Sequence, residues 1–395
     1  MSATLSALYR QRILAVLWNM LKQTVVPVLG LLLSWVITKK FSIELWGAVT
    51  QITLWVSIII HLSSWGNTEY LLKEFSAQPG KLKLRWQSCF IDRLPVLLIT
   101  CCGILVYYRD TLGIIMVFWC LIEFIYQSYE PVINFYKRFM ISVIAEVAGA
   151  IVLFILLFAF RVHIDLFLII ALLTIADLCK TIVVIVYFSK DLLPFKTYRP
   201  DAKYYTNALS FFLLGFVGLL YSKADLIYVT AYMNHHDIAF YQIATNFFSF
   251  AKSGASMLIL PFVPVLYRLK KNLVDTLSIR FTTMGIGLSI FSFIVIYFIL
   301  TIGYKFEVGF PFILAGFLSI IPAFYSYSIV IFLFKHNKQN KVVSYGVVGI
   351  LLTLLFNALL VPHFGITGAI IASTLAQWAV IPLYLYEMNT IKAKA

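Results

Sequence analysis

Residues 281–302 read FTTMGIGLSIFSFIVIYFILTI, and no Asp, Glu, Lys or Arg interrupts them. At about 1.5 Å per residue, a helix of this length covers about 30 Å, the thickness of a bilayer's hydrocarbon core. A helix on the surface of a soluble domain keeps a charged face, and this stretch has none to offer. Windows of the same kind fill the chain in both directions. They lie at Ile13–Ile37, Leu45–Ser64, Phe90–Tyr107, Thr111–Tyr136, Phe139–Phe160 and Leu166–Phe188. A second set lies at Asn207–Met233, Ile238–Leu266, Phe281–Ile302, Phe310–Phe334, Val342–Val361 and Ile366–Tyr386. The expected fold is an all-α membrane protein of about twelve transmembrane helices, a number that invites a search for two six-span halves.

Composition agrees. Of 395 residues, 62% are hydrophobic and 12% charged, and mean hydropathy is +0.92. So few charges cannot cover a soluble protein of this length. The 34 Phe and 23 Tyr suit helices that face lipid and anchor at its interfaces. The first apolar stretch is longer than a secretory signal's, and no small-residue cleavage site follows it, so span one is expected to remain in the mature chain.

A net charge of +14 would suggest nucleic acid in a soluble protein. Here it reads as basic loops that orient a membrane protein, and no nucleic-acid-binding motif accompanies it. With both termini placed in the cytoplasm, cytoplasmic segments hold 21 Lys and Arg. Lys39, Lys40, Arg109, Arg161 and Lys305 are the five on the opposite side. That asymmetry predicts the orientation, and an odd number of spans would destroy it. The loop between Gly66 and Cys89 reads either as a short amphipathic helix on the membrane surface, through Tyr70, Leu71, Leu72 and Phe75, or as a plain basic loop. Loops on the far side are too short to build an enzyme's site.

Charges within spans are costly, so each needs a partner or a watery cavity. The bases are Lys22, Arg93, Lys180, Lys223 and Lys252; the acids are Glu123, Glu130, Glu146, Asp177 and Asp225. All fall in spans one to eight, which places the expected functional cavity there. Asp177 and Lys180, three apart, are expected to neutralise each other. Lys223 and Asp225, two apart, point to different sides and need separate partners. Arg93 is expected to snorkel to the cytoplasmic interface. Glu123, Glu130 and Glu146 either pair with lysines or carry protons. Lys22, Lys223 and Lys252 have no partner nearby in sequence. If their helices are neighbours, three ammonium groups converge on an anion, and a compact, mobile charge suits a phosphate that must bind and then leave.

Pro27, Pro131, Pro261, Pro264 and Pro322 interrupt spans and free backbone carbonyls; those of spans one and eight mark either hinges or the ordinary tolerance of membrane helices for proline. The five cysteines, Cys89, Cys101, Cys102, Cys120 and Cys179, lack metal-ligand spacing and read as packing residues with free thiols. No histidine site, nucleophile–base set, phosphate-binding glycine loop or nucleotide-hydrolysing cassette is present in the sequence. No cofactor is expected, and catalysis is not.

The turn from span one to two, Ser42-Ile43-Glu44-Leu45-Trp46-Gly47, and that from span seven to eight, His235-His236-Asp237-Ile238-Ala239-Phe240-Tyr241, share an order of acid, apolar and small residues about 190 positions apart. Tyr221-Ser222-Lys223-Ala224-Asp225, continuing to Ala239-Phe240-Tyr241-Gln242-Ile243-Ala244, resembles a family with an Asp in span seven and Gly-x-Tyr-x-x-Ala opening span eight; Ala239 replaces that Gly. Asn357-Ala358-Leu359-Leu360-Val361-Pro362-His363-Phe364-Gly365-Ile366-Thr367-Gly368-Ala369 resembles its turn into span twelve. The family is that of the Wzx-type flippases of lipid-linked oligosaccharides, in the multidrug/oligosaccharidyl-lipid/polysaccharide exporter superfamily. The hydropathy plan matches over the whole chain, the residues only in these stretches and at Gly47.

The resemblance implies a MATE-like fold of two facing six-helix bundles, residues 1–200 and 201–395, with a central cavity lined by spans one, two, seven and eight. It implies alternating access and a polyprenyl-diphosphate-linked oligosaccharide as cargo, moved across a bacterial inner membrane for O-antigen, lipopolysaccharide or other polysaccharide synthesis, with a polymerase and chain-length machinery as possible partners. By that likeness Lys22, Lys223 and Lys252 fall on cavity-lining helices and would hold the diphosphate; Arg93 of span three is a further candidate for the anion or the sugars. Asp225, Asp177, Lys180, Glu123 and Glu130 would couple or balance charge. The alternative is a cation-coupled multidrug exporter of the same superfamily, centred on buried carboxylates.

Overall fold

A computed structural model describes residues 2–160, 164–194, 203–259 and 271–392. The elements are α1 (Ser2–Lys40), α2 (Ile43–Ser64), α3 (Asn67–Ala77), α4 (Leu82–Tyr107), α5 (Thr111–Tyr136), α6 (Phe139–Ala159), α7 (Leu166–Leu192), α8 (Tyr204–Tyr232), α9 (His235–Ile259), α10 (Lys271–Phe298), α11 (Phe310–Lys335) and α12 (Gln339–Lys392). No strand occurs among the described residues. Ten helical stretches among them are long and apolar enough to cross a membrane. With α12 broken in two at Gly365 and the 25-residue α9 added, a helix stands at each of the twelve expected spans. The fold is that of an all-α, multi-pass membrane protein.

Local chemistry sets the breaks. Asp110 caps α5 by accepting from Gly113 N (3.1 Å), and Asp165 caps α7 by accepting from Leu168 N (2.8 Å). Lys137 closes α5 in the left-handed region, allowing the short turn into α6. The helices run on through Pro27, Pro131 and Pro322; Pro261 and Pro264 lie outside the described residues.

At Gly365 the backbone takes φ 55° and ψ −138°, a conformation essentially reserved for glycine. The turn brings Gly368 so close to Leu360 that an added Cβ would lie 2.4 Å from its carbonyl oxygen. In a straight helix these residues would be about 12 Å apart. Gly365→Ala should lower stability by about 1–3 kcal/mol. Gly218→Ala, where an added Cβ meets nothing, should be neutral or slightly stabilising. Thermal unfolding of the purified variants in detergent checks the pair.

The chain forms two compact units: Met1–Gly30 with Gln51–Phe216, and Leu31–Thr50 with Val217–Ala395. In the first, α7 packs on α5 and α6. The segment after Gly66 is a helix, not a plain loop, and its apolar face is turned onto protein. Tyr70, Leu71 and Phe75 of α3 are buried against Trp86 of α4, Tyr129 and Val132 of α5, and Tyr204. The apolar face seen in sequence is satisfied by protein. In the second unit, α11 is central, packing on α9, α10 and α12. The α1–α2 tip belongs here: Ser34 Oγ lies 2.9 Å from Tyr304 Oη, and Gly47 meets the backbone of His235. The two turns that resemble each other in sequence are thus packed together.

Candidate substrate cavity

Within the second unit a cavity of about 270 Å³ opens between α8, α9, α11 and α12. On α9, Gln242, Asn246, Ser249 and Lys252 are spaced four, three and three apart, which puts one polar face on an otherwise apolar helix. On α12, Ser373, Gln377 and Tyr384 repeat the pattern. From α8 come Tyr221, Ser222, Lys223 and Asp225; from α11, Pro322 and Ser326. Three lining residues are charged, two of them lysines, and ten are uncharged but polar.

Lys223 and Asp225 border the same cavity although they leave α8 in different directions. Asp225 Oδ2 accepts from Tyr241 Oη at 2.6 Å. Tyr241 is fully buried. Among the described residues no carboxylate lies within 4.0 Å of either Lys223 or Lys252. The Gln377 carboxamide satisfies both its ends when its oxygen accepts from Lys252 Nζ (3.3 Å) and Ser373 Oγ (3.2 Å) and its nitrogen donates to Ser319 O (3.0 Å). The site can offer ammonium groups to an anion and amides and hydroxyls to a polyol.

The other intramembrane charges sit in the first unit. Lys22 is not unpartnered: its Nζ lies 2.9 Å from Glu130 Oε1. Lys180 on α7 faces three carboxylates, Asp177 at 2.9 Å, Glu123 at 3.1 Å and Glu146 at 3.8 Å. Tyr126 Oη donates to Glu146 (2.9 Å), and Trp119 Nε1 donates to Asp177. Arg93 does not snorkel. It is 1% exposed, donates to Cys89 O (3.0 Å) and Ser128 Oγ (2.8 Å), and lies over the Phe124 ring. Phe124 and Ser128 of α5, with the backbone of α4 itself, enclose the guanidinium in protein. Of the proposed cations, then, Lys223 and Lys252 share one cavity, while Lys22 and Arg93 are engaged in the first unit. A second cavity there, about 320 Å³ and lined by Trp55, Ile59, Ile104, Tyr107 and Met116 among others, contains no charged group.

Charge counting alone had placed the cavity in the first eight spans. Two of its walls, α11 and α12, belong to spans ten and twelve, which contribute amides and hydroxyls. These barely disturb hydropathy, and only the spacing of 242, 246, 249 and 252, or of 373 and 377, signals them. None of the described residues form a cluster fit to hold a metal.

The fold is shared with solved structures of a lipid flippase and of multidrug transporters. The chain superposes on a structure described as lipid II flippase MurJ in an inward closed conformation, with TM-score 0.74, 13% identity, and 95% of this chain and 87% of that one covered. It superposes on an inward-facing multidrug resistance MATE family transporter of the MOP superfamily, with TM-score 0.66, 10% identity and coverage of 96% and 99%. A MATE transporter of Vibrio cholerae gives TM-score 0.56, 14% identity and 98% of each chain. At these identities the likeness is one of fold. No protein-family profile matches the chain, and no curated protein sequence does.

Proposed function

We propose that this chain is a flippase that moves a polyprenyl-diphosphate-linked oligosaccharide across a bacterial inner membrane for surface polysaccharide synthesis. The observation that carries the reading is the charge balance of the cavity, two lysines against one carboxylate, set among ten uncharged polar side chains. Lys223 and Lys252 hold the diphosphate, the hydroxyls and amides meet the sugars, and the lipid tail stays in the bilayer. The fold shared with a lipid II flippase supports a lipid-linked cargo, and the loop charge asymmetry supports cytoplasmic termini. Polymerase and chain-length proteins are the partners this role would bring.

Lys223→Ala and Lys252→Ala are each expected to cut glycan export about tenfold or more, the order expected when a charged hydrogen bond is lost. The readout is surface glycan in a strain lacking its own flippase, complemented at equal membrane levels of each variant. Normal export by both variants would sink the site. The second reading, a cation-coupled drug exporter, is favoured by the four acids of α5, α6 and α7 near Lys180 and Lys22 and by the MATE-like fold. It predicts drug resistance in a pump-deleted strain that survives loss of both cavity lysines.

A further inference from the structure

The cavity contains one element an anion site does not need: a carboxylate. Asp225 lies on the same wall as Lys223 and is the one carboxylate lining the cavity that holds Lys223 and Lys252. Yet it makes an ion pair with neither. One of its oxygens is taken by Tyr241 Oη at 2.6 Å and the other by the amide of Leu226 at 2.7 Å. Tyr241 cannot wander, because it is fully buried on α9, flanked by the buried Ala239, Phe240, Ile243 and Ala244. The phenol thus restrains a carboxylate that Coulomb attraction would otherwise draw toward two ammonium groups in a low-dielectric site.

We propose that Asp225 is a built-in competitor for the anion. Held back by Tyr241, it leaves the lysines open to an incoming phosphate-bearing group. Released, it neutralises a lysine and helps expel that group. This rests on the reading of the cavity as a diphosphate site and adds its regulation. The competitor keeps affinity below what two unopposed lysines would give, which a carrier requires, since cargo held too tightly is never released.

The test uses the full chain in lipid nanodiscs, with inorganic pyrophosphate titrated calorimetrically at fixed ionic strength. Asp225→Asn should bind about tenfold more tightly than the parent, since a like charge has been removed from a partly desolvated site. Tyr241→Phe, which frees the carboxylate, should bind about threefold more weakly, a modest change because the carboxylate only competes part of the time. The combined variant should match Asp225→Asn alone, because no carboxylate remains to be released. Asp225→Ser serves in place of Asp225→Asn if the latter does not elute as a single species. Unchanged or weaker binding on neutralising Asp225 overturns the inference, as does any effect of Tyr241→Phe in the neutralised background. Pyrophosphate binding that is absent, or that survives loss of both lysines, overturns the cavity reading itself and this inference with it.

Discussion

Replacing Lys180 by Met should leave the protein unable to accumulate in the membrane, or melting far below the parent. The side chain is 11% exposed, and its ammonium lies within 4 Å of Asp177, Glu123 and Glu146. Without it three carboxylates face one another in a bilayer-spanning bundle. Breaking a buried ionic set by deleting one partner costs about 3–5 kcal/mol, which is a large share of a typical domain's stability. Methionine keeps most of the side-chain volume, so the loss reports charge and not packing. Adding Glu123→Gln to Lys180→Met should recover part of the loss, because Glu123 is one of the two carboxylates within about 3 Å. Fluorescence-detected size exclusion after a heat challenge measures both. A Lys180→Met protein as stable as the parent would mean that the acids are already neutral without it.

The second large effect belongs to Gly47. An added Cβ there would sit 1.8 Å from His235 O and 2.6 Å from His235 C. Both atoms are backbone, so no side chain can swing aside. Gly47→Ala should therefore force the start of α2 away from the start of α9 and strip the α1–α2 tip from the second unit, including the Ser34–Tyr304 contact. Overpacking of this kind costs about 1–3 kcal/mol or more, and Gly47→Val should do worse. Limited proteolysis of the variant in detergent should cut within 41–50, where the parent resists. Resistance equal to the parent's would show that the contact is dispensable.

These cases also show why parts of the molecule could be read from sequence. The spans were legible because hydrocarbon tolerates so few residue types, and even the four-residue break at Pro362–Gly365 was visible as a motif. Its chemistry is now clear: Gly365 for φ and Gly368 for close approach. Tyr241, part of the stretch that resembled a family opening to span eight, proves to be the donor to Asp225. Partner choice was not legible. Lys22 and Glu130 are 108 residues apart, and Lys180 draws two of its three acids from α5 and α6. Arg93 misled because its position near a span end suggested escape to water, whereas Ser128 and Phe124 of the neighbouring helix enclose it. Gln242, Asn246 and Ser249 of α9 and Ser373 and Gln377 of α12 escaped notice because an amide or hydroxyl changes hydropathy too little to stand out.

The tight reversal at Gly365 bears on how the chain is made. Between Val361 and Ile366 there is no loop that could cross the bilayer as a separate step, and the contact of Gly368 with Leu360 needs both arms present. Residues 339–391 are therefore expected to enter the membrane as one helical hairpin, in which the backbone groups of both arms are satisfied internally. On that expectation a nascent chain stalled between the two arms exposes an apolar helix with no counterpart.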